Sequence, residues 1–182
     1  RAAGLEERMA ALEKVQKAGY MTGFHFDPIL TGDNWEEDYE SLIRVLFRHA
    51  DPSRIAWISM GSLRFPPEMA EKVKAKFPRT DLLDGEMIIG SDNKQRYFKP
   101  MRIEVYKHIY RCLKQYGGDD LFIYFCMEDA DVWERVMGFS PDSNEHLDYL
   151  FAEYLARKFP GLGQPAPKLE EYLRFNTRRS WE

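Results

Sequence analysis

A histidine and an aspartate, His25 and Asp27, lie near the end of a short apolar run that precedes Pro28. The run spans residues 20–26 and is typical of a strand buried on both faces, which we expect the proline to stop. Because side chains alternate along a strand, both residues should point to one face near its carboxyl end, where α/β folds bind ligands. The structural alternative is that Asp27 caps the turn before Pro28 and that His25 is a core histidine.

Polar side chains also follow two later predicted strands, at residues 55–60 and 121–126. If the strands are parallel, their carboxyl ends meet at one rim. The residues predicted to converge there are His25, Asp27, Ser59, Ser62, Arg64, Cys126, Glu128 and Asp129. Taken singly, several members fit simpler roles, such as a surface charge for Arg64 and a small buried hydrophobe for Cys126. The convergence is therefore more informative than any one residue.

Two kinds of chemistry are open to these residues. Asp27 and Glu128 are candidate catalytic residues, because a carboxylate pair about 5 to 9 Å apart can perform acid–base catalysis. Outside the rim, Arg96 and Tyr97 lie in a turn-like segment, where a guanidinium beside an aromatic ring can stack on a planar ligand or pair with a phosphate. The alternative for that segment is a solvated turn with one buried aromatic.

Helical and strand patterns alternate along the chain and predict an α/β fold. Apolar residues at helical spacing predict helices at 5–18, 34–50, 67–76, 101–116 and 144–159, with a short one through Trp133. Asn34 and Glu37 fit a capping box at the start of the second helix. Short strands are expected at 82–83 and 87–89. Alternation of strands and helices indicates a parallel sheet with right-handed crossovers, either open or part of a barrel.

Composition and length exclude several classes of protein. A chain of 182 residues with 44% hydrophobic residues suits one globular domain, and its net charge of −4 gives no global basic field for nucleic acid. Two cysteines and four scattered histidines predict neither a disulfide framework nor a metal site. Phosphate-loop, dinucleotide-fold, zinc-protease and serine-hydrolase motifs are absent. We expect a cytoplasmic protein with no membrane span.

The first residues suggest that this chain begins inside a longer protein. There is no initiator methionine and no signal-peptide core, and the sequence runs directly into a helix. At the other end, residues 161–182 read as a linker-like tail, so the predicted folded part is residues 1–160.

A series of short strings in collinear order resembles the later part of the spore photoproduct lyase family of radical S-adenosylmethionine (SAM) proteins. The strings are AGY at 18–20, GFHFDPI at 23–29, WEEDY at 35–39, AWISMGSLRFPP at 56–67, RYFKP at 96–100 and FCME at 125–128. Each string is weak alone, but the series is specific and spans residues 5–139. It is most similar to the lyase-like branch often described as DNA repair photolyases.

The resemblance implies a fold, a cofactor set and an activity. The fold would be the C-terminal part of a partial (β/α)6, TIM-like radical SAM barrel. In the complete family, a Cys-x3-Cys-x2-Cys loop holds a [4Fe–4S] cluster that cleaves SAM to a 5′-deoxyadenosyl radical, which acts on a thymine-dimer lesion in DNA. By the same resemblance, the residues that would face SAM are His25, Asp27, Ser59 and Ser62, and those that would face the lesion are Arg64, Arg96 and Tyr97.

The sequence departs from the family pattern because it lacks the cluster motif. Two cysteines cannot supply three thiolate ligands, so we expect the isolated chain to hold no cofactor and to be inactive. Two alternatives stay open: a non-catalytic α/β domain that binds a nucleotide or a protein, and a barrel enzyme that uses Asp27 and Glu128 as an acid–base pair. An uncovered strand edge and barrel interior would also favour self-association of the chain.

Overall fold

The protein is described by a computed structural model over residues 3–163 and 165–174. Over residues 5–137 helices alternate with single strands or pairs of strands, and further helices follow. In chain order the elements are α1 (Leu5–Lys17), β1 (Thr22–Ile29), α2 (Trp35–His49), β2 (Ile55–Ser62), β3 (Arg64–Phe65), α3 (Pro67–Lys76), β4 (Met87–Ile89), β5 (Gln95–Tyr97), α4 (Lys99–Gly117), β6 (Ile123–Phe125), α5 (Ala130–Met137), α6 (Asn144–Lys158) and α7 (Leu169–Leu173).

Strands β1, β2 and β6 form a parallel sheet in the order β1–β2–β6. In its register His25 lies opposite Ser59, and Ser59 lies opposite Tyr124. The carboxyl ends of the three strands therefore meet at one edge of the sheet. The α/β class with a parallel sheet is confirmed.

Strand β1 differs from its prediction because Pro28 does not stop it. The strand continues through a cis Asp27–Pro28 peptide bond to Ile29. It lies at the edge of the sheet, where a residue without an N–H group can be accommodated. The prediction that it is buried on both faces is also wrong, since Phe26 and Ile29 are buried whereas His25 is exposed.

One face of the parallel sheet carries the main hydrophobic core, against α1, α2, α4 and α5. The strand residues that enter it are Phe26, Ile29, Ile55, Ile58, Met60, Ile123 and Phe125. The helices meet them with apolar residues at helical spacing, such as Ile43 and Leu46 of α2 and Ile109 and Leu113 of α4. The periodicity that predicts these helices also defines their buried sides.

The opposite face, which we call the His25 face, is formed by the side chains of His25, Trp57, Ser59 and Tyr124. Helix α6 packs on it through Phe151, whose ring centroid lies 6.4 Å from that of Trp57 and 6.1 Å from that of Tyr124. The sequence predicts an uncovered barrel interior, and α6 covers part of this surface.

A second, antiparallel sheet in the order β3–β5–β4 was not predicted. Its strands are only two or three residues long, too short to show alternation. The short strand at 87–89 is confirmed, but the one expected at 82–83 is wrong. Leu82 and Leu83 instead pack against a small core of Leu63, Phe65 and Tyr97.

Helix ends follow the sequence at one point and depart from it at another. Gly19, with φ of +94°, follows α1 as expected of a glycine beyond a helix end. Asn34 precedes α2, but its side chain makes no capping hydrogen bond, so the predicted capping box is wrong. None of the helices in the described residues is long and apolar enough to span a membrane.

Part of the predicted tail contains a helix. Within 161–182, α7 lies beside α6, with the rings of Tyr172 and Tyr149 5.9 Å apart. Gln164 and residues 175–182 lie outside the described residues. The boundary between the folded part and the tail stays a prediction.

Candidate functional site

Arg64 joins the carboxyl ends of the three parallel strands. Its Nη2 lies 3.0 Å from Oδ2 of Asp27 at the end of β1, and its Nη1 lies 3.3 Å from Oδ1. Nη1 also donates to the carbonyl oxygen of Ser62 at 3.3 Å, and Nη2 contacts Sγ of Cys126 at 3.3 Å. The structure thus brings together Asp27, Arg64 and Cys126, which the sequence assigned to one rim.

The Asp27–Arg64 ion pair is largely shielded from water. The side chains are 22% and 16% exposed, respectively. Burial acts to lower the pKa of Arg64, but the hydrogen bond and charge of Asp27 outweigh it, so the pKa is raised above its ordinary value. The Arg64 guanidinium therefore stays charged. Its two parallel hydrogen bonds to Asp27 fix the plane of the carboxylate.

Gly61 provides the space for this ion pair. A Cβ added at Gly61 would lie 2.7 Å from Oδ2 of Asp27 and 2.8 Å from Nη1 of Arg64. Real Cβ atoms do not approach other heavy atoms so closely, so a larger residue would displace the pair. The sequence shows a glycine at position 61, but no pattern in it predicts that a side chain there would collide with the ion pair.

His25 and Ser59 form a second contact on the His25 face. Nδ1 of His25 and Oγ of Ser59 are joined by a 2.6 Å hydrogen bond, and the imidazole lies 4.7 Å from the Trp57 ring. Ser59 is fully buried, whereas His25 is exposed. The buried serine therefore fixes the orientation of the imidazole through this hydrogen bond. The imidazole is the member of the pair that a ligand can reach.

A buried ion pair, Arg102–Glu128, lies behind the rim. Both side chains are 4% exposed. Nε of Arg102 donates to Oε1 of Glu128 at 3.1 Å, and Nη2 donates to Oε2 at 3.1 Å. Sequence reasoning found Glu128 but missed Arg102, although an arginine within the buried stripe of α4 is itself a sign of a buried partner.

Tyr106 extends this ion pair into a network. Its hydroxyl donates to Oε1 of Glu128 at 2.7 Å and accepts from the backbone N–H of Ser62 at 2.6 Å. Nη1 of Arg102 donates to the carbonyl oxygen of Tyr97 at 2.7 Å. Burial and then the Glu128 charge raise the pKa of Tyr106. The network, which we call the Arg102 network, connects the ends of β2 and β5 with the segment after β6.

Arg96 and Tyr97 lie in the second sheet and are already engaged. Arg96 forms an ion pair with Asp92 of its own hairpin, and it lies opposite Arg64 in the strand register. Its Nε is buried without a hydrogen-bond partner among the described residues. Tyr97 is buried, and its hydroxyl accepts from the backbone N–H of Thr31 at 3.4 Å.

The remaining predicted rim residues have structural partners. Ser62 is buried, and its backbone N–H is held by Tyr106. Asp129 accepts from the backbone N–H of Val132 at 3.1 Å, which caps α5, and it pairs with Lys99 at 3.1 Å. Asp129 is therefore a helix cap with a surface ion pair.

An open cavity of about 690 Å³ adjoins the rim beyond the end of β6. Its walls include Phe125, Glu128 and Trp133 on one side and the start of α6 at Ser143 on the other. Met127 stands beside it with φ of +60° and is 54% exposed.

The described residues do not fit an iron–sulfur cluster. Cys112 is buried in α4, with Sγ 3.6 Å from Nε2 of His108, and Cys126 lies against Arg64. No group of three or more His, Cys, Asp or Glu side chains within residues 3–163 and 165–174 is arranged to hold a metal ion. The whole sequence supplies only these two thiols.

Comparisons with known proteins identify relatives over most of the chain but only part of their length. A spore photoproduct lyase of Clostridium acetobutylicum is 25% identical over 130 residues, which cover 69% of this chain and 36% of the relative. A spore photoproduct lyase of Geobacillus sp. (strain Y412MC61) is 28% identical over 108 residues, covering 58% and 30%. The chain therefore spans about a third of the length of these curated relatives.

Solved structures give the same result. A spore photoproduct lyase double mutant with bound AdoMet and dinucleoside spore photoproduct matches with a TM-score of 0.58 and 25% identity, over 68% of this chain and 38% of that one. A complex of spore photoproduct lyase with the dinucleoside spore photoproduct matches with a TM-score of 0.56 over the same shares. The family model for spore photoproduct lyase matches residues 1–117. This chain belongs to the spore photoproduct lyase family.

Proposed function

We propose that this chain is the C-terminal portion of a spore photoproduct lyase-like radical SAM protein that repairs thymine-dimer lesions in DNA. The observation that carries the proposal is the convergence of Asp27, Arg64 and Cys126 at the ends of parallel strands. That region lies in a chain similar to a spore photoproduct lyase structure with bound AdoMet and dinucleoside spore photoproduct. In this proposal, β1, β2 and β6 are strands of a partial (β/α)6 barrel.

The cluster ligands would come from outside this sequence. A [4Fe–4S] cluster needs more thiolates than Cys112 and Cys126 can offer, and these two occupy different elements. We therefore propose that a Cys-x3-Cys-x2-Cys segment in the rest of the protein holds the cluster, and that the isolated chain is inactive. Two unpaired thiols are also consistent with a cytoplasmic location.

The geometry favours different roles for the predicted site residues. On the SAM side, His25 and Asp27 are accessible and can offer an imidazole and a carboxylate to a polar ligand. Ser59 and Ser62 are buried: Ser59 forms a hydrogen bond with His25, and the carbonyl oxygen of Ser62 accepts from Arg64. On the lesion side, Arg96 and Tyr97 are the proposed contacts. Both are engaged within the chain, so contact with a lesion requires Arg96 to exchange Asp92 for the ligand.

The acid–base alternative receives less support from the structure. Asp27 and Glu128 are each bound by a different arginine, and Glu128 is buried. Arg102 and Tyr106 together donate four hydrogen bonds to the Glu128 carboxylate, which leaves it no free lone pair to accept a substrate proton. By contrast, the alternative of a binding domain that folds alone is favoured by one observation, the cover that α6 places on the His25 face.

The protein from its native source would test the proposal first. Intact-mass measurement and peptide mapping should find sequence upstream of Arg1 that contains a cysteine triad. Anaerobic reconstitution of that protein should then yield a [4Fe–4S] absorption spectrum, whereas this chain alone should not. A native protein that begins near Arg1 would remove the enzyme proposal and leave the binding domain.

The same reconstituted protein allows a test of the site. Asp27→Asn should weaken SAM binding, because the amide cannot accept the same charge-assisted hydrogen bonds as the carboxylate. Asp33→Asn is a matched control, since Asp33 is exposed in the loop after β1. Equal SAM affinity of the two variants would count against a role of Asp27 in binding.

A further inference from the structure

We propose that Arg64 is a positioning residue, which orients the Asp27 carboxylate, and that Gly61 is the residue that permits this. The identity of the positioned ligand, SAM, rests on the proposed function. The sequence placed Arg64 with the residues that face the lesion, and its contacts favour positioning over direct contact with a substrate.

The first argument is that the donors of Arg64 are already used. Its two terminal nitrogens carry four N–H groups, and each nitrogen makes two contacts, which reach Asp27, the Ser62 carbonyl and Cys126. The side chain is 16% exposed. A substrate phosphate would have to displace these partners to bind the terminal nitrogens.

The second argument is the position of the partners. Asp27 lies near the end of β1, Ser62 ends β2, and Cys126 directly follows β6. The Arg64 guanidinium therefore forms hydrogen bonds at the ends of all three parallel strands. Only an arginine offers such a fork, because a lysine ammonium cannot hold a carboxylate in one plane.

The third argument is the accessibility of Asp27. Its side chain keeps 22% of its surface exposed while Arg64 binds both carboxylate oxygens. The carboxylate is thus fixed in direction and still open to a ligand. His25, two residues earlier, is exposed on the same strand.

A substitution at Gly61 tests the proposal without replacing any charged residue. A methyl group at this position would overlap Oδ2 of Asp27 and Nη1 of Arg64, so Gly61→Ala should separate the pair. Gly32→Ala is the matched control, because a Cβ there meets no atom within 4 Å. Arg64→Lys keeps the charge but loses the fork, and Arg44→Lys changes an exposed arginine that pairs with Glu40.

The primary measurement is nuclear magnetic resonance of the arginine side chains in this chain. Slow rotation and slow exchange of the Arg64 guanidinium N–H signals are expected in the unaltered protein and in Gly32→Ala. Gly61→Ala should lose them. Unchanged Arg64 signals in Gly61→Ala would overturn the proposal, whether or not the chain binds SAM.

The second measurement is the SAM affinity of the reconstituted, cluster-bearing protein by equilibrium dialysis, because the isolated chain is not expected to hold SAM. It separates positioning from a purely structural role. Gly61→Ala and Arg64→Lys should each weaken SAM binding by about 10-fold or more, the equivalent of one lost charge-assisted hydrogen bond. Gly32→Ala and Arg44→Lys should stay within about 2-fold of the unaltered reconstituted protein. Altered thermal stability with unaltered affinity would overturn the positioning role. If the unaltered reconstituted protein binds no SAM, the proposed ligand fails, and the guanidinium signals alone decide the role of Arg64.

Discussion

Arg102 and Glu128 are buried charges whose neighbours satisfy them. Taking two ions out of water is unfavourable unless hydrogen bonds replace their hydration. Here the guanidinium binds both carboxylate oxygens and the Tyr97 carbonyl, and the Tyr106 hydroxyl adds a further donor to Glu128. Removal of one member would leave the others without partners in the interior.

We expect Arg102→Met to lower the free energy of unfolding by about 3 to 5 kcal/mol, because it strands the Glu128 carboxylate. The double variant Arg102→Met with Glu128→Leu should recover much of that loss, since no unpaired charge then remains. Urea denaturation would measure both. Arg135→Met, which breaks an exposed pair with Asp131, should cost less than about 1 kcal/mol. Equal losses for the buried and exposed arginines would refute this account.

The Tyr106 hydroxyl serves two partners, so Tyr106→Phe should leave the Ser62 N–H and Glu128 short of a hydrogen bond. We expect a loss of about 1 to 3 kcal/mol in the free energy of unfolding. Tyr149→Phe is the control, because the Tyr149 hydroxyl bonds Glu153 on the surface of α6. A Tyr106 variant as stable as the Tyr149 variant would show that the hydroxyl contributes nothing.

Residue types at strand ends predicted only part of the site. Asp27, Arg64 and Cys126 could be found because parallel strands bring their ends together. Their specific partners could not, since a guanidinium is long enough to reach several strands. Tyr106 lies in the helix that periodicity predicts at 101–116, but the helical pattern does not reveal which group its hydroxyl bonds.

Among the elements, α6 is attached to the rest of the protein near both of its ends. Its C-terminal end is bound to Asp120, whose carbonyl accepts from Tyr154 and Lys158 and whose carboxylate pairs with Arg157. Its N-terminal end adjoins the open cavity at Ser143. Leu147, near that end, packs against the main core, and Asp120 holds the other end.

The carboxylate part of this attachment should depend on pH. The hydrogen bond from Arg157 lowers the pKa of Asp120 by more than burial raises it. The ion pair therefore stabilises the fold above the ordinary aspartate pKa of about 3.9. This stabilisation is lost as the pH falls below that value, towards the lower pKa of Asp120 in the folded protein. Asp120→Asn should reduce stability by less than about 1 kcal/mol at pH 7. Thermal denaturation should show this difference shrinking towards pH 3.

Asp119→Asn is the matched control for that experiment. Lys114 binds the carbonyl oxygen of Asp119, which the substitution keeps. A pH-dependent difference as large for Asp119→Asn as for Asp120→Asn would mean that the effect does not come from the α6 attachment.

Elements with a clear periodic spacing of apolar residues could be predicted from the sequence, and elements without such spacing could not. Helices α2, α4 and α6 and strands β1 and β2 were all located within a few residues. The antiparallel sheet was not found, because strands of two or three residues give no alternation. Pro28 misled the prediction because an internal strand excludes proline, whereas an edge strand tolerates it.

At the scale of the whole molecule, both edge strands of the parallel sheet, β1 and β6, lack a second neighbouring strand within the described residues. Strand β1 has a hydrogen-bonded neighbour on one side only, and exposed Tyr20 and Met21 lead into it. An unpaired edge beside apolar side chains favours pairing with another chain. Helix α6 reduces this tendency by covering part of the adjoining face.

We expect the isolated chain to self-associate through β1 at high concentration. Multi-angle light scattering across a concentration series should show a mass above that of one chain, 21.5 kDa. Tyr20→Lys should shift the protein towards monomer, because a charge beside the edge opposes pairing. Leu173→Lys, at an exposed position in α7, should not. A single-chain mass at every concentration would contradict this expectation.

Trp57 gives the molecule an optical probe at the centre of the His25 face. Its indole lies 4.7 Å from the His25 ring and 6.0 Å from the Tyr124 ring, and Gly23 leaves it room by carrying no side chain. Indole emission responds to nearby imidazole and to displaced water. With the other tryptophans replaced by phenylalanine, fluorescence from Trp57 would report both occupancy of this face and movement of α6, without any attached dye.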